Sequence, residues 1–83
     1  MVINVYVYLD SVPNRKNNAA VEVPEGATVK QALVKFEEVQ KIPFSIVGKR
    51  GLAFMVNDKP ARNTNQPLVD KDMVRVFKPL FGG

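Results

Sequence analysis

The sequence predicts an α+β domain in which a mixed sheet of about five strands carries one main helix packed across one face. Two observations lead there. A period of two at the amino terminus gives way to a single stretch of helical period, and shorter strand-like runs follow, giving the order two strands, helix, two strands, one strand. A hairpin and one amphipathic helix can bury their apolar faces together only as a helix laid on a sheet.

Met1 to Leu9 alternates, with Ile3, Val5, Val7 and Leu9 on one face and Asn4, Tyr6 and Tyr8 on the other. β-Branched and aromatic residues in that period form a strand with its odd positions toward the core. Asp10 to Asn18, DSVPNRKNN, is turn chemistry, and Ala19 to Val23 returns as the second strand of a hairpin.

The period then changes. Thr28 followed three residues later by Gln31 makes a capping box that opens a helix. Val29, Ala32, Leu33, Phe36 and Val39 recur at helical spacing as its core stripe, leaving Lys30, Gln31, Lys35, Glu37 and Glu38 for water. The helix is expected to stop near Gln40 or Lys41, because Pro43 disfavours helical geometry at Ile42.

Residues 42–51 form a connection, with a short buried turn expected at Phe44, Ile46 and Val47. Leu52 to Asn57 reads as the third strand, and Asn57-Asp58 supplies turn residues for a tight hairpin. Lys59 to Arg62 is a short fourth strand that Pro60 confines to an edge, and Leu68 lies between polar turns. Met73 to Lys78 is the fifth strand and leads into the tail, residues 79–83.

Eighty-three residues are read as one domain over 1–83 with a flexible tail. The chain has no Cys, so no disulfide is available, and a reducing compartment is permitted. The first ten residues lack the basic leader and unbroken apolar run of a signal peptide, and no run reaches a membrane span. The expected location is cytoplasmic, with no membrane partner.

Twelve Lys and Arg against eight Asp and Glu leave a charge of +4. The cations are scattered rather than gathered into a stripe, so no nucleic-acid partner is expected.

Without His or Cys, there is no Ser-His-Asp or Cys-His arrangement and no His/Cys metal site. Ser11 and Ser45 fall in loops with no obvious base, Glu37 and Glu38 diverge on the helix, and Asp70 and Asp72 lack further oxygen ligands for a metal. VGKRG lacks the outer glycine and the hydroxyl residue of a phosphate loop. Met1, Met55 and Met73 read as start, core and surface residues. The chain does not read as an enzyme, and no catalytic or metal residue is assigned.

One group remains, the α-carboxylate of Gly83. The chain ends FKPLFGG, and at average glycine usage a terminal Gly-Gly arises by chance in roughly 0.5% of chains. A carboxylate becomes an electrophile only when converted to an acyl-adenylate in a site that excludes water. A protein offering its own terminus must thread a thin tail into that site. Gly82 and Gly83 present no Cβ to a channel. Pro79 stiffens the exit from the strand, and Leu80 and Phe81 are anchors for an apolar groove.

With this order of elements, NDK in the hairpin of the third and fourth strands, PLVDKDMVRVF before the tail and the final GG, the chain resembles the ubiquitin-like sulfur carriers. These include the small subunit of molybdopterin synthase and the sulfur carrier of thiamine biosynthesis. The resemblance implies a β-grasp fold and an ATP-dependent, E1-like enzyme that adenylates Gly83 before sulfur replaces AMP to give a thiocarboxylate. It implies no permanently bound cofactor, ATP being used by the activating partner. The recipient partner would be the large subunit of molybdopterin synthase or another sulfur acceptor.

The implied sheet sets the first and last strands side by side at its centre. With Val74 and Val76 inward, Met73, Arg75 and Phe77 point outward near Tyr6 and Tyr8, a docking surface beside the tail. Three positions depart from the family. Lys71 stands in a turn that is often Asp-Gly-Asp, Lys78 where molybdopterin subunits often have proline, and Phe81 where a small residue usually precedes the glycines. Length and tail favour the molybdopterin pathway. The alternatives are a thiamine-type or other sulfur-transfer pathway, a ubiquitin-like modifier joined through Gly83 to lysines, and a plain interaction module.

Overall fold

The computed structural model describes residues 1–80. In chain order the elements are β1 (Val2–Tyr8), a single 3₁₀ turn (Asn14–Lys16), β2 (Asn18–Glu22), α1 (Val29–Gln40), β3 (Ala53–Val56), β4 (Lys59–Pro60) and β5 (Met73–Phe77). The strands form one sheet in the order β2-β1-β5-β3-β4. β1 and β5 are parallel neighbours at its centre, and the other pairs are antiparallel.

Strand parity sets the layers. Ile3, Val5 and Val7 of β1, Val21 of β2 and Val74 and Val76 of β5 are buried on one face, where they meet Val29, Ala32, Leu33 and Phe36 of α1. Ile46 is fully buried in the 42–51 connection, with Phe44 and Val47 packed partly against the same core, as the sequence suggests. Leu68, which has no periodic context in the sequence, is also a core residue at 3% exposure. Its N–H donates to the Ala27 carbonyl and fixes the long connection under the start of the helix.

That connection completes the helix N-terminus. The capping box is present, Thr28 Oγ1 accepting from the Gln31 N–H and Gln31 Oε1 from the Thr28 N–H. The N–H groups of Val29 and Lys30 donate to the carbonyls of Gln66 and Thr64, and Ala32 N–H to that of Thr28. The four N–H groups that the helix start leaves without intrahelical partners, those of Thr28, Val29, Lys30 and Gln31, are therefore all met.

The other end departs from expectation in mechanism. Lys41 takes the left-handed conformation (φ 55), and the N–H of Ile42 reaches back to the Glu37 carbonyl in a Schellman closure. The stop is thus made at Lys41 itself, before Pro43.

Three side-chain expectations need correcting, and one strand length. Val39 is 48% exposed, because the stripe centred on Val29, Leu33 and Phe36 has turned away from the sheet by the last helical turn. Glu37 is half-buried, its Oε2 accepting the Ile46 N–H at 2.8 Å, so it anchors the connection instead of facing water. Met55 is not a core residue: it is paired with Arg75 on the sheet face away from the helix, while Val56 is buried. The fourth strand is shorter than Lys59–Arg62 and lies at the sheet edge, as Pro60 requires.

Candidate functional site

The face of the sheet that the helix leaves uncovered gathers the residues the sequence singled out. The parallel register sets Asn4 opposite Met73, Tyr6 opposite Arg75 and Tyr8 opposite Phe77. On the other side of β5, Met55 is opposite Arg75 and Ala53 opposite Phe77. Tyr6, Met73, Arg75 and Phe77 are half-buried and Tyr8 is 49% exposed. The Tyr6 and Tyr8 rings stack with centroids 6.2 Å apart and planes 18° from parallel. Such ring pairs hold each other's rotamers and present a rigid apolar surface.

Arg75 rises from the middle of this surface and is held at its far side. Its Nη1 pairs with Asp58 Oδ1 at 2.5 Å, in the turn between β3 and β4. Asp58 and its neighbour Asn57 both have positive φ, 71 and 50, the geometry of a two-residue hairpin turn. The turn is tied back into the sheet. Asn57 Nδ2 donates to Asp72 Oδ1 at 2.6 Å, and Asn57 Oδ1 accepts from the Met73 N–H at 2.9 Å. Asp72 is 8% exposed and its second oxygen accepts the Val69 N–H, so both carboxylate oxygens have partners.

Lys71 lies in the turn leading to β5 with φ 71, the backbone that favours glycine. Its N–H donates to the Val2 carbonyl, and Asp70 Oδ1 accepts the Val2 N–H, so the turn also fixes the start of β1.

At the opposite end of the central pair the chain leaves the sheet. Phe77 closes β5, Pro79 is half-buried and Leu80 is 95% exposed. The expected tail residues Phe81, Gly82 and Gly83 lie outside the described residues. Among the described residues there is no group of three or more acidic side chains placed to hold a metal ion, and no helix is long and apolar enough to cross a membrane. Met55 and Ala53 belong to the same surface and were missed; the alternation Phe54 and Val56 inward, Ala53 and Met55 outward, was the available signal.

A five-stranded mixed sheet with parallel first and last strands at its centre and one helix across it is the β-grasp, ubiquitin-like fold. The chain belongs to the ThiS family, whose model matches residues 8–83. No curated protein sequence matches it. Solved structures do. SAMP1 from Haloferax volcanii superposes with a TM-score of 0.74 at 18% identity, over 100% of both chains. A putative molybdopterin converting factor subunit 1 from Pyrococcus furiosus gives 0.67 at 19% identity, over 96% of this chain and 99% of that one. The complex of subunits 1 and 2 of molybdopterin-converting factor from Helicobacter pylori contains a chain that gives 0.65 at 20% identity, over 100% of both. These likenesses establish the fold, as the resemblance to the ubiquitin-like sulfur carriers implied.

Proposed function

We propose that this protein carries sulfur as a thiocarboxylate on Gly83, most directly for molybdopterin biosynthesis. The observation that carries the reading is that the tail leaves the central strand beside an exposed aromatic and apolar face, with Leu80 fully presented to solvent. Membership of the ThiS family and the likeness to two molybdopterin converting factor subunits support it.

The chemistry needs a partner at each stage. In the site of an E1-like enzyme, a Gly83 carboxylate oxygen attacks the α-phosphorus of ATP and pyrophosphate leaves. A hydrosulfide nucleophile then attacks the acyl carbon, the bond to AMP breaks, and AMP leaves with the electron pair. The thiocarboxylate is delivered to a sulfur acceptor, here a large subunit of the kind paired with subunit 1 in the Helicobacter pylori complex. The domain contributes docking and reach. From Lys78 to Gly83 a fully extended chain spans at most about 18 Å, enough to enter a buried channel while the sheet stays outside.

ATP–pyrophosphate exchange tests the reading. The protein should stimulate exchange by its activating enzyme, and one residue appended after Gly83 should abolish it by displacing the carboxylate. Exchange at the normal rate with the extended protein would refute the role of Gly83.

A second reading has its own support. The Haloferax volcanii neighbour is a small archaeal modifier protein, and the same adenylate attacked by a lysine amine instead of sulfide gives an isopeptide bond. Branched Gly83–lysine peptides in digests of cellular protein would favour it.

A further inference from the structure

We infer that the groove at the root of the tail is a second docking element, one that takes carboxylate side chains on the surface of the activating enzyme. This rests on the carrier reading above and adds the chemistry of the partner's surface. The groove is built where three strand ends meet. Tyr8 ends β1, Phe77 ends β5 and Ala53 begins β3, and the three are in register across the sheet. The segments that continue from them therefore converge. They bring Lys49, Arg50 and Lys78 into one groove with Asp10, Tyr8 and Leu80.

Three cations there face one carboxylate, and all three are exposed. The described residues contain two ion pairs, the Met1 ammonium with Glu22 and Arg75 with Asp58, and neither uses a groove cation. The contrast with Arg75 is informative, because that charge is already committed inside the domain. Lys49 lies 4.5 Å from the centre of the Phe44 ring, which positions the ammonium without neutralising it. Three cations against a single carboxylate leave a net positive surface that attracts an opposite charge.

Reach decides between a protein surface and the nucleotide. Gly83 is five residues beyond Lys78, so a threaded tail places the reacting carboxylate up to about 18 Å away. The groove cations stay at the mouth of the channel, where they meet side chains rather than phosphates. Tyr8 lines both the groove and the aromatic face, so the two form one continuous surface around the tail. Opposite charges at such a rim speed encounter and fix orientation, and their effect fades with salt.

The test is ATP–pyrophosphate exchange by the E1-like enzyme, with KM for the carrier and kcat measured at low and high salt. Arg50→Glu/Lys78→Glu leaves the Lys49–Phe44 contact in place. Arg15→Glu/Lys30→Glu makes the same change in net charge at exposed positions that do not line the groove. The groove pair should raise KM about tenfold or more at low salt, with the gap closing as salt rises and kcat unchanged, a size typical of lost electrostatic steering. The control pair should stay near the unaltered protein. An unchanged KM in the groove pair, an equal rise in the control pair, or a fall in kcat at unchanged KM would each overturn the inference, the last by assigning the cations to the nucleotide. Absence of exchange with the unaltered protein would overturn the carrier reading and this inference with it.

Discussion

Tyr8 and Phe77 lie opposite one another at the ends of the two parallel central strands, side chains outward, at the point where the tail departs. The pair joins the aromatic face to the root of the tail. On the carrier reading proposed above, a partner that grips this face would also aim the tail.

That relationship makes Phe77 the first position to alter. Phe77→Asp should weaken binding to the activating enzyme by roughly 30-fold, the loss of about 2 kcal/mol expected for a central aromatic anchor. The domain should remain folded, because Phe77 is only half-buried on the face away from the core. Titration calorimetry with circular dichroism as the folding control reads both. Unchanged affinity would dismiss the docking face.

The tail is expected to be separable from the fold. Removing Gly82 and Gly83 should leave the far-ultraviolet spectrum and the urea midpoint unchanged, since no described element is touched. It should abolish every adenylate-dependent product. Retained activity would return the protein to the class of plain interaction modules.

Asp72 should prove a structural acid. Its two carboxylate oxygens accept from Asn57 Nδ2 and from the Val69 N–H. Asp72→Asn keeps one acceptor but turns an amide N–H₂ toward a donor, so stability should fall by about 1–3 kcal/mol. Urea denaturation checks this, and a loss well under half that size would mean the corner relaxes to accommodate the amide.

Lys71 offers the opposite sign. A non-glycine residue in the left-handed region costs about 1–2 kcal/mol, and glycine gives back about 0.5–1 kcal/mol through unfolded-state freedom. Lys71→Gly should therefore stabilise by up to about 1 kcal/mol, whereas a β-branched side chain in Lys71→Val should destabilise. The reverse order in thermal melts would show that the Lys71 backbone is not held at φ 71 in solution.

Much of this architecture was legible because the strands and helix are half-buried. Ile3, Val5 and Val7 alternate with residues that face outward, and the Thr28–Gln31 capping box marks the helix start to the residue. The contents of the candidate site follow from parity, since burying Val74 and Val76 forces Met73, Arg75 and Phe77 outward. Their neighbours did not follow from parity, because strand order is a long-range property; the family resemblance supplied it.

What escaped notice depends on tertiary contact. Lys41 carries no signal for a left-handed helix stop, Leu68 is a lone apolar residue without period, and Glu37 is drawn inward by the Ile46 N–H. The groove of Lys49, Arg50 and Lys78 is invisible in the sequence for the same reason. Lys49 and Arg50 are neighbours in sequence but lie far from Lys78, which they meet only because Ala53 is opposite Phe77.

The most direct measurement is fragmentation mass spectrometry of the C-terminal peptide, from protein isolated under reducing conditions and from protein treated with its activating enzyme, ATP and sulfide. Intact mass is insufficient, because oxidation of one of the three methionines nearly matches the replacement of oxygen by sulfur. The expected result is sulfur in place of one oxygen on Gly83, in fragments that contain no methionine. An unmodified Gly83 carboxylate in both preparations, with the activating enzyme shown to consume ATP on a known substrate, would contradict the carrier function.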